Sequence, residues 1–130
     1  MTSMLDDLLR RRPYNAVTDL IDAHVERGFA DKIAFVDSAR SLSYGELAAR
    51  SCRFASALAT LGLHAESRLI LLFQDSVDYP VAFWGAIRAG IVPVPLNTLL
   101  TVEQYAYLFT DSRAEAAVTS GIGTTAAVAW

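Results

Sequence analysis

Few residues in this chain combine a type and a spacing that could do chemistry. Ser120 to Thr125 reads SGIGTT, a Gly/Ser/Thr run superficially of the kind whose backbone N–H groups cradle phosphate, but no Pro-Lys follows it. His24 has no second His, Cys or acidic cluster at ligand spacing, so it is expected to be a satisfied structural histidine rather than a metal ligand. Cys52 is the only cysteine, which excludes an internal disulfide. Within a helical pattern it reads as a small apolar filler rather than a nucleophile. Arg88 is the one charge in the apolar stretch Tyr79 to Ala89, placed where a cation meets the negative end of a helix dipole. No GxxxxGK[ST], no GxGxxG, no metal-ligand cluster and no Ser-His-Asp set is present. By residue type alone the chain offers no catalytic and no metal-binding residue.

The elements that must position these residues follow from hydrophobic period and turn chemistry. Residues 1–13 carry Met4, Leu5, Leu8 and Leu9 at helical spacing before Pro13, and read as a short helix or a mobile arm. Asn15 or Thr18 caps the next helix, with Val17, Leu20, Ile21, His24 and Val25 as its stripe and Gly28 as its stop. Lys32 to Val36 and Ser41 to Tyr44 form a hairpin around a turn at Asp37 to Arg40. Ser43 and Glu46 have capping-box spacing, opening a helix with Leu47, Ala48, Phe54, Leu58 and Leu61 buried and Gly62 as its end.

Arg68 to Phe73 is a continuous apolar run, as in a strand covered on both faces. Ser76 or Asp75 then caps a helix running to Arg88, which Gly90 stops. The strand Val92 to Pro95 suits a sheet edge, because Pro93 and Pro95 lack donors. Thr101 with Gln104 opens a helix through Tyr105, Leu108 and Phe109, and Ala114 to Thr119 is the last strand. The order β-α-β-α-β predicts a parallel sheet with flanking helices, preceded by a helix and a β-hairpin.

Composition narrows the function classes. At 130 residues the length suits one domain, and 53% hydrophobic residues with a mean hydropathy of +0.31 suit a piece that packs against further protein. Net charge is −3, and the one basic cluster, Arg10-Arg11-Arg12, follows Asp6 and Asp7, so no nucleic-acid footprint is expected. No apolar run is long enough to span a membrane and no signal-peptide core stands at the start, so a cytoplasmic location without a membrane partner is expected.

The run IRAGIVPVPLN, from Ile87, and LSYGEL, from Leu42, resemble two conserved cores of the AMP-forming acyl-adenylate ligases, at the family's spacing. YNAVTDLIDAHVERGFADKIAFVD and PVPLNTLLTVEQYAYLFTDSRA are most similar to benzoate-CoA ligases and related aryl-acid CoA ligases. The resemblance covers about Tyr14 to Val118 and implies the first subdomain of a much longer enzyme. Residues 1–13 are then expected to be an arm, 14–118 the subdomain, and 119–130 a divergent tail of the kind a truncation leaves.

The resemblance implies ATP, Mg2+ and CoA as cofactors of the full-length enzyme, with none expected on this chain alone. It implies that the acid pocket, the adenine site and the catalytic lysine map beyond residue 130, so the chain alone is expected to be inactive. It carries one site residue over: an arginine before the small-residue-Gly pair touches a phosphate of CoA, and Arg88 matches it. The expected partner is the remainder of the ligase, or a second copy through an exposed apolar face. The alternative function is a stand-alone, non-catalytic remnant serving as a dimerisation or docking module.

Overall fold

The computed structural model describes Met4, Asp6 and residues 13–120. Most of the expected helix before Pro13, and the SGIGTT run after its first residue, lie outside the described residues. Helix α1, residues 16–29, is opened by Asn15 and not by Thr18: the Asn15 side-chain oxygen accepts from the Val17 amide at 3.0 Å. Two of its stretches, Thr18–Asp22 and Val25–Phe29, are wound wide with π-type hydrogen bonding. That winding breaks the 3.6-residue period, so Val17 and Ile21 are buried while Leu20 turns outward.

Strands β1 (Ile33–Val36) and β2 (Ser41–Ser43) form the expected antiparallel hairpin. Its turn is closed by Asp37, whose side chain accepts from the amides of Ala39 and Arg40 at 2.9 and 2.7 Å. Helix α2 (Tyr44–Thr60) starts in the predicted capping box, with both Ser43 and Glu46 contributing. Leu47 and Leu58 are buried as expected, but Leu61 is 73% exposed. It is the residue after the last regular turn, so the chain reversal into Gly62 carries it off the stripe.

The second half alternates β3 (Arg68–Leu72), α3 (Asp78–Arg88), β4 (Val92–Pro95), α4 (Val102–Ser112) and β5 (Ala116–Thr119). The three strands are parallel in the order β4-β3-β5, so the apolar run of β3 is central and the proline strand is at an edge, as the residue types require. Leu69 and Leu71 pack on one face with Leu58, Ala82, Ala86 and Ile91, from the side of α2 and α3. Ile70 and Leu72 pack on the other with Tyr105, from the side of α4. Each fully buried leucine of this strand contributes about 1.5–3 kcal/mol of apolar burial. A third cluster, Val17, Ile21, Leu42, Leu47, Val77 and Val81, seats α1 and the hairpin on α2 and α3.

Two local features join α3 to its neighbours. Neither Ser76 nor Asp75 caps it; Val77 precedes its first turn without a side-chain cap of its own. The Val77 amide donates instead to the Asp37 carboxylate at 2.9 Å, so a residue of the hairpin turn does the capping. At the other end Gly90, with φ of 75°, turns the chain into β4.

Candidate functional site

In open parallel sheets ligands gather at the carboxyl ends of strands where the connections part. In this sheet the chain leaves β3 for β4 on one side and returns from β4 to β5 on the other. At the carboxyl end of β3, the loop 73–77, the first turns of α3 and the hairpin enclose a groove of about 620 Å³. Phe35 and Val36 line it from β1, and Tyr79, Phe83 and Trp84 from α3. Tyr79 stacks on Phe83 with centroids 6.5 Å apart, and Phe83 meets Trp84 edge-on at 5.3 Å. Burial, then the nearby Asp75 charge, push the Tyr79 phenol above its ordinary pKa.

The polar groups of the groove are hydroxyls and carboxylates: Ser38, Ser76, Asp37 and Asp75. Ser76 Oγ is buried with no hydrogen-bond partner in the structure. Asp37 is held at about 2 by the backbone amides of Val77, Ala39 and Arg40 and by the charge of Arg40. Beside it Asp78 accepts from Arg40 at 2.8 Å and from Arg50 at 2.5 Å, and those two guanidinium groups lower its pKa. The arrangement suits an apolar or aromatic occupant with one hydroxyl contact. Its sequence signal was the Tyr79, Phe83, Trp84 spacing on one helix; the opposing hairpin wall could not be read from it.

Arg88 lies at the far end of α3. Its Nη1 and Nη2 donate to the two oxygens of Asp22 at 2.9 and 2.6 Å, and its Nε donates to Ser51 Oγ at 3.2 Å. The hydrogen bond to Asp22 raises the guanidinium pKa against the opposing effect of desolvation. Asn15 adds a second tie, its side-chain amide donating to the Ile87 carbonyl at 2.7 Å. Arg88 thus fastens α1 and α2 to the end of α3, with its side chain 20% exposed.

His24 is structural in its stacking, parallel to Tyr44 at 4.7 Å between centroids. Its Nδ1, however, is buried without a hydrogen-bond partner, so the expectation of a satisfied ring is not met at that atom. Cys52 is exposed and not a packed filler, because it sits beside rather than on the Leu47, Ser51, Leu58 stripe of α2. Among the described residues no group of three His, Cys, Asp or Glu could hold a metal ion, and no helix is long and apolar enough to cross a membrane.

A helical pair packed on a three-stranded parallel sheet, with a hairpin in front, is the architecture that solved acyl-adenylate ligases share with this chain. The sequence profile of the family described as AMP-binding enzyme matches residues 22–129, and the chain belongs to that family. Among curated proteins it is 56% identical over 102 residues to the 4-hydroxybenzoate–CoA/benzoate–CoA ligase of Rhodopseudomonas palustris, covering 78% of this chain and 19% of that protein. It is 45% identical over 108 residues to the benzoate–CoA ligase of Thauera aromatica, covering 82% and 20%. A solved benzoate CoA ligase from Burkholderia xenovorans LB400 superposes with a TM-score of 0.84 at 44% identity, over 89% of this chain and 24% of that one. The chain therefore spans about a fifth of the length of the curated relatives it matches.

Proposed function

We propose that this chain is the N-terminal part of an ATP-dependent aryl-acid CoA ligase, acting on benzoate or a related acid through an acyl-adenylate. The 56% and 45% identities to two benzoate-type ligases carry the reading; a 3-hydroxybenzoate–CoA ligase and a long-chain-fatty-acid–CoA ligase each stand at 35%. The enzyme works with ATP, Mg2+ and CoA in the cytoplasm, and its partner is the rest of the ligase.

The described residues provide no acidic cluster for Mg2+. In this reading the acid, adenine and catalytic-lysine sites lie in the rest of the ligase, so no chemical step is assigned to this chain and it is inactive alone. Arg88 fits a CoA phosphate to a limited extent: three of its N–H donors go to Asp22 and Ser51, leaving one on each Nη. We place its contact to CoA there.

The test is a chimera in which this chain replaces the matching front of the Rhodopseudomonas palustris ligase. Benzoyl-CoA formation dependent on ATP is expected. A folded chimera that forms none would refute the reading.

A further inference from the structure

The groove between the hairpin and α3 has no part in the proposed reaction. Its volume of about 620 Å³ falls within the roughly 300–1,000 Å³ of small-molecule sites, which pair apolar walls with a few polar groups. Phe35 and Val36 supply the apolar side chains of the hairpin, and Tyr79, Phe83 and Trp84 those of α3.

The charges around it do not cancel. Arg40 meets Asp37 at 3.4 Å and Asp78 at 2.8 Å, and Arg50 meets Asp78 at 2.5 Å, so two carboxylates are matched by two guanidinium groups. Asp75 is left over. It is exposed and lines the groove, and among the described residues its carboxylate has neither a hydrogen bond nor an ion pair. Its charge reaches the aromatic wall, since the Tyr79 phenol is raised above its ordinary pKa by burial and then by Asp75. Ser76, the next residue, lines the same groove, and its buried Oγ lacks a partner.

An aryl carboxylate fits this groove badly, because Asp75 repels it and no lining residue is a cation. A cation with an aromatic body fits on both counts. Its ring packs against Tyr79, Phe83 and Trp84, whose π faces attract positive charge. Its ammonium group meets Asp75 and keeps an N–H for a hydroxyl oxygen such as Ser76 Oγ. We infer that the groove is a binding site for a small aromatic amine in its ammonium form, separate from the acid site of the proposed ligase and independent of that reading.

Titration calorimetry of the chain with three probes that share one ring and differ in charge tests this: tryptamine, tryptophol and indole-3-propionate. Tryptamine is expected to bind about tenfold more tightly than tryptophol, as one ion pair at a partly solvated rim provides, and the anion more weakly than either. Asp75→Asn should remove that preference and leave tryptophol binding unchanged. Asp111→Asn, which deletes the same charge from an exposed position on α4, should leave all three unchanged. Val36→Lys adds a cation to the groove at a side chain 72% exposed, where the fold tolerates it, and should weaken tryptamine about tenfold or more. A folded chimera with the Rhodopseudomonas palustris remainder should still bind tryptamine.

Four results would each overturn the inference. They are no binding of tryptamine, equal binding of the three probes, a preference for the cation that survives Asp75→Asn or Val36→Lys, and loss of tryptamine binding in the folded chimera, where the rest of the ligase would then fill the groove.

Discussion

Arg88 shows how much one side chain can tie together: its guanidinium reaches Asp22 on α1 and Ser51 on α2 from the last turn of α3. Arg88→Ala in the chimera should cost about 1.5–3 kcal/mol of stability through the lost charged hydrogen bonds. If it also holds a CoA phosphate, KM for CoA should rise about ten- to a hundredfold with adenylate formation nearly unchanged. Asp22→Asn should lower the melting midpoint without that rise, and an unchanged CoA KM in Arg88→Ala would retire the phosphate contact. Asp37 gives a pH-dependent case. Its folded pKa of about 2 lies below the ordinary 3.8, so its contribution is fully present above the ordinary value and is lost as pH falls toward the folded one. Urea unfolding of the isolated chain from about pH 6 to about pH 2 should show stability falling in that window. Asp37→Asn should flatten that part of the curve, and an identical acid profile in the variant would show that the carboxylate does not couple to folding.

At the scale of elements, the contact between α2 and α3 is set by Gly85. A methyl group there would stand 2.7 Å from a Phe54 ring carbon and 3.0 Å from the Ser51 carbonyl, and the latter is backbone that cannot move aside. Gly85→Ala should therefore cost about 1–3 kcal/mol by overpacking, read as a lower denaturation midpoint at an unchanged denaturant slope. Elements governed by neighbouring residues were legible in the sequence. Ser43 with Glu46 and Thr101 with Gln104 form both capping boxes where their spacing requires. The apolar run of β3 is central and the proline strand is at an edge. What was not legible depends on partners far along the chain. The start of α3 is capped by Asp37, forty positions upstream of Val77, so no local rule could choose it over Ser76 or Asp75. The groove has the same origin, because its aromatic wall on α3 is a local pattern and its opposing wall is a hairpin brought there by tertiary packing.

At the scale of the whole molecule, the described residues make a three-stranded parallel sheet with two packed faces and a separate two-stranded hairpin, yet leave large apolar side chains in solvent: Leu99 at 89%, Val36 at 72% and Tyr107 at 67%. These are single side chains well apart in the sequence, and scattered exposure of that kind is ordinary for a folded surface. On the proposed function, adenylation needs a Gly/Ser/Thr-rich phosphate loop with its lysine, an acidic residue for the ribose hydroxyls and a lysine for the developing charge. The described residues bring together neither a metal-binding cluster nor a lysine beside the groove. On the proposed function, in which the acid, adenine and catalytic-lysine sites lie in the rest of the ligase, the isolated chain should catalyse no benzoate-dependent exchange of pyrophosphate into ATP, and should bind ATP no better than an unrelated protein of similar charge. Joined to the remainder of a benzoate-type ligase it should recover exchange, because the fold it contributes is already formed. Radiolabelled pyrophosphate exchange on both samples would check this. Exchange by the isolated chain alone would mean that it holds an adenylating site of its own.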